Sequence, residues 1–161
     1  MPDHLGSSED LLVVMSTVAD RVGDLIAGLD EPRLGYRHAP ALPTVTEAVT
    51  SLCQAGIAVD GLLRHAYLDP EQREIALNET LRSTPDADVS PPAAELLDAF
   101  SRVRRRTIDL LRGMSPDDWR RTFVDSRDGE LMLFQVCERI TRQEIGRLGM
   151  LRNLVALVPA V

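Results

Sequence analysis

Lysine is missing from this chain of 161 residues: all 18 basic side chains are arginine, set against 25 acids and three histidines. That absence removes any lysine nucleophile for Schiff-base chemistry. It is also a mark of GC-rich coding and points to a bacterial source. Aromatics are scarce, at 4%, so a core must be assembled from Leu, Val, Ile, Ala and Met, which suits helices better than a sheet sandwich. The two cysteines, Cys53 and Cys137, are too few and too far apart for a disulfide framework, and no Cys/His metal spacing surrounds either. A net charge of −7 leaves no clustered positive field for nucleic acid or an anionic membrane. The longest apolar run falls far short of a membrane span. The opening MPDHLGSSED lacks the apolar stretch of a signal peptide. The expectation is a single domain over residues 1–161, working in a reducing cytoplasm.

What the chain does have is helical periodicity, four times over. Ser7 and Ser8 followed by Glu9 and Asp10 start a first helix, whose stripe Leu11, Met15, Val18, Val22, Leu25, Leu29 ends before Asp30, Pro32 and Gly35. Residues 31–43 read as a loop. Thr44 with Glu47 forms a capping box for a second helix running to Asp69-Pro70. A short, exposed helix is expected between Glu71 and Ser83, then an irregular crossover, STPDADVSPP. So long a connection lets the third helix run parallel to the second. Ser90 as cap and Pro91 start that helix, lined by Leu97, Phe100, Val103, Thr107, Leu110, Leu111 and Met114. Ser115-Pro116 starts a turn or two anchored by Trp119, Asp125 to Gly129 is a turn, and a fourth long helix follows from about Leu131.

The fourth helix organises the rest. Leu133, Val136, Ile140, Leu151, Leu154 and Val158 form one stripe, and the reading places Gln143 and Arg147 on it. Two long polar side chains in an apolar seam need partners.

The segments PTVTEAVTSL, MSPDDW, DGELMLFQV and TRQEIGRLGMLRNL, in that order, resemble the motifs of the DinB-like superfamily across nearly the whole chain. The resemblance implies an all-α four-helix bundle with a long crossover between helices 2 and 3. In that family three histidines, one on helix 2 and two on helix 4, hold a divalent metal. Carried over residue by residue, they fall on Ser51, Gln143 and Arg147; only Glu144 matches its family counterpart. Ser and Gln are weak neutral ligands, and a guanidinium has no lone pair to give. The expectation is therefore no metal and no cofactor.

What is expected instead is a non-catalytic binding protein with a pocket for a small polar or anionic molecule between helices 2 and 4. Ser51, Gln143, Glu144 and Arg147 are its candidates, with Arg104 and Thr107 at inward spacing on helix 3. The plain alternative is that Arg147 pairs with an internal acid and nothing binds. Two further readings stay open: a thiol-dependent transferase, isomerase or hydrolase of the superfamily, and a protein-interaction domain or homodimer. His65 fits the favourable end of the helix-2 dipole, and His4 and His38 lie in terminal or loop segments. The run Arg102, Arg104, Arg105, Arg106 fans around its helix, so most of it should be a solvated face.

Overall fold

In the computed structural model, which describes residues 7–82 and 91–160, each stripe becomes a long helix. In chain order the elements are α1 (Ser8–Ile26), α2 (Glu31–Leu34), α3 (Val45–Leu68), β1 (Glu74–Ile75), α4 (Leu77–Arg82), α5 (Ala93–Arg112), α6 (Pro116–Arg120), β2 (Thr122–Asp125), β3 (Gly129–Met132) and α7 (Leu133–Leu157). Ser7 caps α1 reciprocally with Asp10, and Ser115 caps α6 with Asp118. Thr44 caps α3 by accepting the Glu47 N–H at 3.0 Å. The Glu47 carboxylate does not return to the cap; it pairs with Arg37.

Several expectations are corrected. α1 stops at Ile26 rather than Leu29, where Gly28 takes a left-handed φ of 84°. The stretch read as loop carries the four-residue α2, capped by Asp30. α7 starts at Leu133, because the residues before it form a hairpin strand whose pairing is not visible in a local pattern. α4 is not an exposed helix: Leu77 and Leu81 are buried. The proposed cap Ser90 lies outside the described residues. α5 begins after Pro92 with no side-chain cap.

α1 and α3 occupy opposite corners of the bundle, each packed between α5 and α7. Helix directions follow from which residues meet. Gly56 faces Phe100 and Asp60 faces Arg104, so both numbers rise together and α3 runs parallel to α5. The early part of α1 shares a hydrophobic cluster with the early part of α7 and the late parts of α3 and α5. The late part of α1 shares a second cluster with the late part of α7 and the early parts of α3 and α5. Hence α1 and α7 run parallel to each other and antiparallel to the other two.

One end of the bundle is closed by a small sheet. β1 pairs parallel with β2, and β2 antiparallel with β3, in the register Thr122↔Met132 to Asp125↔Gly129. Phe123 and Leu131 turn inward onto the first cluster, with Trp119 edge-on to Phe134 at 6.4 Å between ring centres. Each such buried side chain contributes about 1.5–3 kcal/mol relative to exposure. No described helix is long and apolar enough to cross a membrane.

Candidate functional site

The two hydrophobic clusters meet at a layer of charge. Arg104 of α5 is the bulkiest of the fully buried side chains among the described residues, with 2% of its surface exposed. Its Nε donates to Asp60 of α3 at 3.0 and 3.2 Å. Nη1 and Nη2 form a bidentate pair with Glu144 of α7, at 2.8 and 2.6 Å, and Nη1 also donates to the Met15 carbonyl of α1 at 3.1 Å. One guanidinium thus ties all four long helices together. Phe100, one turn back on α5, lies under it with its ring centre 4.8 Å from Cζ. The Thr107 hydroxyl reaches both Asp60 and the Val103 carbonyl.

Burial pushes the Asp60 carboxyl up to about 6, against the opposing pull of Arg104. Burial also works to neutralise Arg104, but Glu144 and Asp60 outweigh it and raise its pKa, so it stays protonated. Cys53 and Cys137, one in each cluster, are held up to about 12 by burial and are inert at neutral pH.

One turn along α7, a second arginine is seated differently. Arg147 Nη1 donates to the Ser51 carbonyl at 2.8 Å and to Ser51 Oγ at 3.1 Å; Nη2 donates to the Leu81 carbonyl at 2.7 Å. Gln143 Nε2 reaches the same Leu81 carbonyl at 3.3 Å. Arg147 therefore pins the last turn of α4 against α3 and α7. Burial lowers its pKa, and the nearby Glu144 charge works against that.

The six candidate residues thus fall into two groups. Ser51, Gln143 and Arg147 come together around Leu81; Arg104, Thr107 and Glu144 come together in the core. The α7 stripe needs correcting, because it passes through Cys137, Ile140, Thr141, Glu144 and Leu148, while Gln143 and Arg147 flank it, half-buried. The internal acids pair with Arg104 and not with Arg147. Asp60 was missed by sequence reasoning, although its place four residues after Gly56, between the inward Val59 and Leu63, was the available signal. In the run of arginines Arg104 alone is buried; Arg102, Arg105 and Arg106 are exposed.

Open space lies beside this group. A cleft of about 430 Å³ between α4, β3 and α7 is lined by Leu81 and Gln143 together with Asn78, Leu131, Gln135, Glu138, Arg139 and Arg142.

The fold is similar to that of YfiT from Bacillus subtilis, a protein described as a probable metal-dependent hydrolase with an unusual four-helix bundle topology. The two superpose with a TM-score of 0.74 over 91% of this chain and 85% of that one, at 15% identity. The fold is the DinB-like four-helix bundle. No family model and no curated protein matches the sequence.

The divalent metal that the DinB-like resemblance implies does not fit these residues. At the three corresponding positions stand a hydroxyl, an amide and a guanidinium. The guanidinium is a cation whose N–H groups point at the oxygens of Ser51 and Leu81. Among the described residues no three His, Cys, Asp or Glu side chains gather in a way that could hold a metal ion.

Proposed function

We propose that this chain is a metal-independent binding protein on a DinB-like scaffold, holding a small polar or anionic molecule beside α7. The seat of Arg147 carries the reading. Its fixed positive charge lies where the resemblance expects a metal, and it is hydrogen-bonded across Ser51 and Leu81 as a structural strut. A guanidinium does not activate water or a thiol as a Lewis acid does. The hydrolase description of YfiT is therefore not carried over to this chain. The concave surface next to the strut, lined by polar and charged side chains, supports binding.

The test combines metal and ligand. Protein purified with added zinc and nickel and then dialysed should retain neither in stoichiometric amount, and chelator should leave its melting temperature unchanged. A panel of small acids and polar metabolites should include at least one that raises that temperature. Stoichiometric retained metal would overturn the reading, and so would a panel in which nothing binds.

A further inference from the structure

The exposed faces of α5 and α7 differ in kind. On α5 every exposed residue except Ala94 is charged. On α7 beyond Glu144, Arg152 is the only charged residue exposed, while Ile145, Met150 and Leu157 keep 40, 45 and 38% of their surface open. That half of the helix exposes no acid. Copies of a chain with net charge −7 repel one another over most of their surface, so a face free of acids is where two of them can meet. Two glycines lie on the same face. Gly146 and Gly149 stand inside α7, where glycine is a poor helix former. Neither takes the positive φ that glycine alone adopts readily, and a Cβ added at either would meet nothing among the described residues. Within a single chain alanine would serve better at both positions. The glycines gain a purpose when another helix crosses them, because bare backbone lets two axes approach more closely than the usual separation of roughly 8–10 Å.

The pattern around the glycines selects the helix that crosses. Arg142, Gly146, Gly149 and Asn153 follow one another at spacings of four, three and four, which makes a single stripe. It reads with the same spacing from either end, and Ile145 and Met150 flank it on opposite sides. A copy of α7 laid antiparallel across it, about a two-fold axis between residues 147 and 148, sets Gly146 against the partner's Gly149 and Ile145 against the partner's Met150. Arg142 then meets the partner's Asn153, whose side-chain carbonyl accepts from a guanidinium. The charges are complementary to that arrangement. Glu138, Arg142 and Arg139, itself paired with Asp128, all precede the glycines, and the outer face after them is uncharged apart from Arg152. Antiparallel contact lays each charged half on the partner's uncharged half, whereas parallel contact would stack Arg142 on its own copy.

We propose that the outer face of α7 is the contact between two copies of this chain, which cross antiparallel at Gly146 and Gly149. Such a contact is isologous: the same patch serves both subunits and closes at a dimer. Ile145 and Met150 supply its apolar centre, and the charged residues of early α7 form its rim.

Light scattering on the full chain, coupled to size exclusion and run over a concentration series, should show a monomer–dimer equilibrium. Ile145→Glu should weaken association about thirtyfold, the effect of losing one central apolar side chain. Gly146→Ala combined with Gly149→Ala should move two properties in opposite directions. It should raise the urea midpoint in dilute solution, because alanine favours the helix, and weaken the dimer, because the added methyl groups hold the axes apart. Arg105→Ala, on α5, should leave association unchanged. Mixing Arg142→Cys with Asn153→Cys under mild oxidation should give a disulfide-linked heterodimer, while neither variant cross-links to itself. Circular dichroism identifies any variant that fails to fold, and the glycine pair, expected to be the more stable monomer, keeps the test decisive if Ile145→Glu does not fold. A chain that stays monomeric at every concentration overturns the proposal and leaves the face to another occupant. A dimer indifferent to both Ile145→Glu and the glycine pair overturns it as well. Self-linking of Arg142→Cys would mean a parallel contact, which the proposal forbids.

Discussion

Arg104 holds two carboxylates and a backbone carbonyl in a volume from which water is excluded. Such a constellation is costly to break and inexpensive to replace. Arg104→Met should therefore destabilise the fold by about 3–5 kcal/mol, because it strands two acids. Replacing the trio together, Arg104→Met with Asp60→Leu and Glu144→Leu, should recover that loss or exceed it; urea denaturation of both variants decides. Asp60 adds a pH dependence of definite sign. Its folded carboxyl titrates near 6 against 3.8 when exposed, so the native state holds the proton more tightly. The stability this confers is whole below about 3.8, declines as pH rises from there through about 6, and is lost above. Wild type should lose stability relative to Asp60→Asn across that window, and a urea-midpoint difference that stays flat with pH would contradict it. At this scale the sequence was only partly readable. Arg104 and Thr107 could be placed inward from their spacing, but Asp60 was passed over, because one acid on an apolar face has no visible partner until the facing helix is known.

At the scale of elements, close approach decides the packing. A Cβ added at Gly56 would collide with the ring of Phe100, which is itself held against Arg104. Gly56→Ala should destabilise the protein by about 1–3 kcal/mol through overpacking, even though alanine is the better helix former by about 1 kcal/mol. Thermal denaturation against Gly61→Ala, where the added Cβ meets open space, separates the two effects. α4 depends on Arg147 for its attachment. Arg147→Ala removes hydrogen bonds to two carbonyls and should cost about 2–3 kcal/mol. The loss should be accompanied by faster amide exchange confined largely to α4, with Arg147→Lys recovering part of the protection. If exchange rises equally in all helices, Arg147 is not acting as a local strut. The long helices were legible from their stripes and caps, whereas β1, β2 and β3 were not. Two- and four-residue strands take their stability from partners distant in sequence and leave too few residues for a periodic signal.

For the molecule as a whole, the charged layer divides the core, and each half carries its own reporter. Cys137 lies in the cluster closed by the sheet, Cys53 in the one at the far end of the bundle. Since Arg104 ties four helices across the boundary, the halves should open together. Both thiols should be modified at one common rate in the native protein, as followed by mass spectrometry under a large excess of alkylating reagent. Clearly different rates would mean that the halves open separately. The all-α bundle, the parallel course of α3 and α5, and the non-coordinating character of positions 51, 143 and 147 were determined by the sequence alone. Apolar spacing, connection length and side-chain chemistry are properties of the chain itself. What only the tertiary structure decided is which charges meet. Arg104 on α5 and Arg147 on α7 both read as inward-facing from spacing alone, yet Arg104 received the acids and Arg147 the carbonyls. The difference arises because α3 presents Asp60 at one level and the Ser51 backbone at another, and that depth is fixed only when the helices pack.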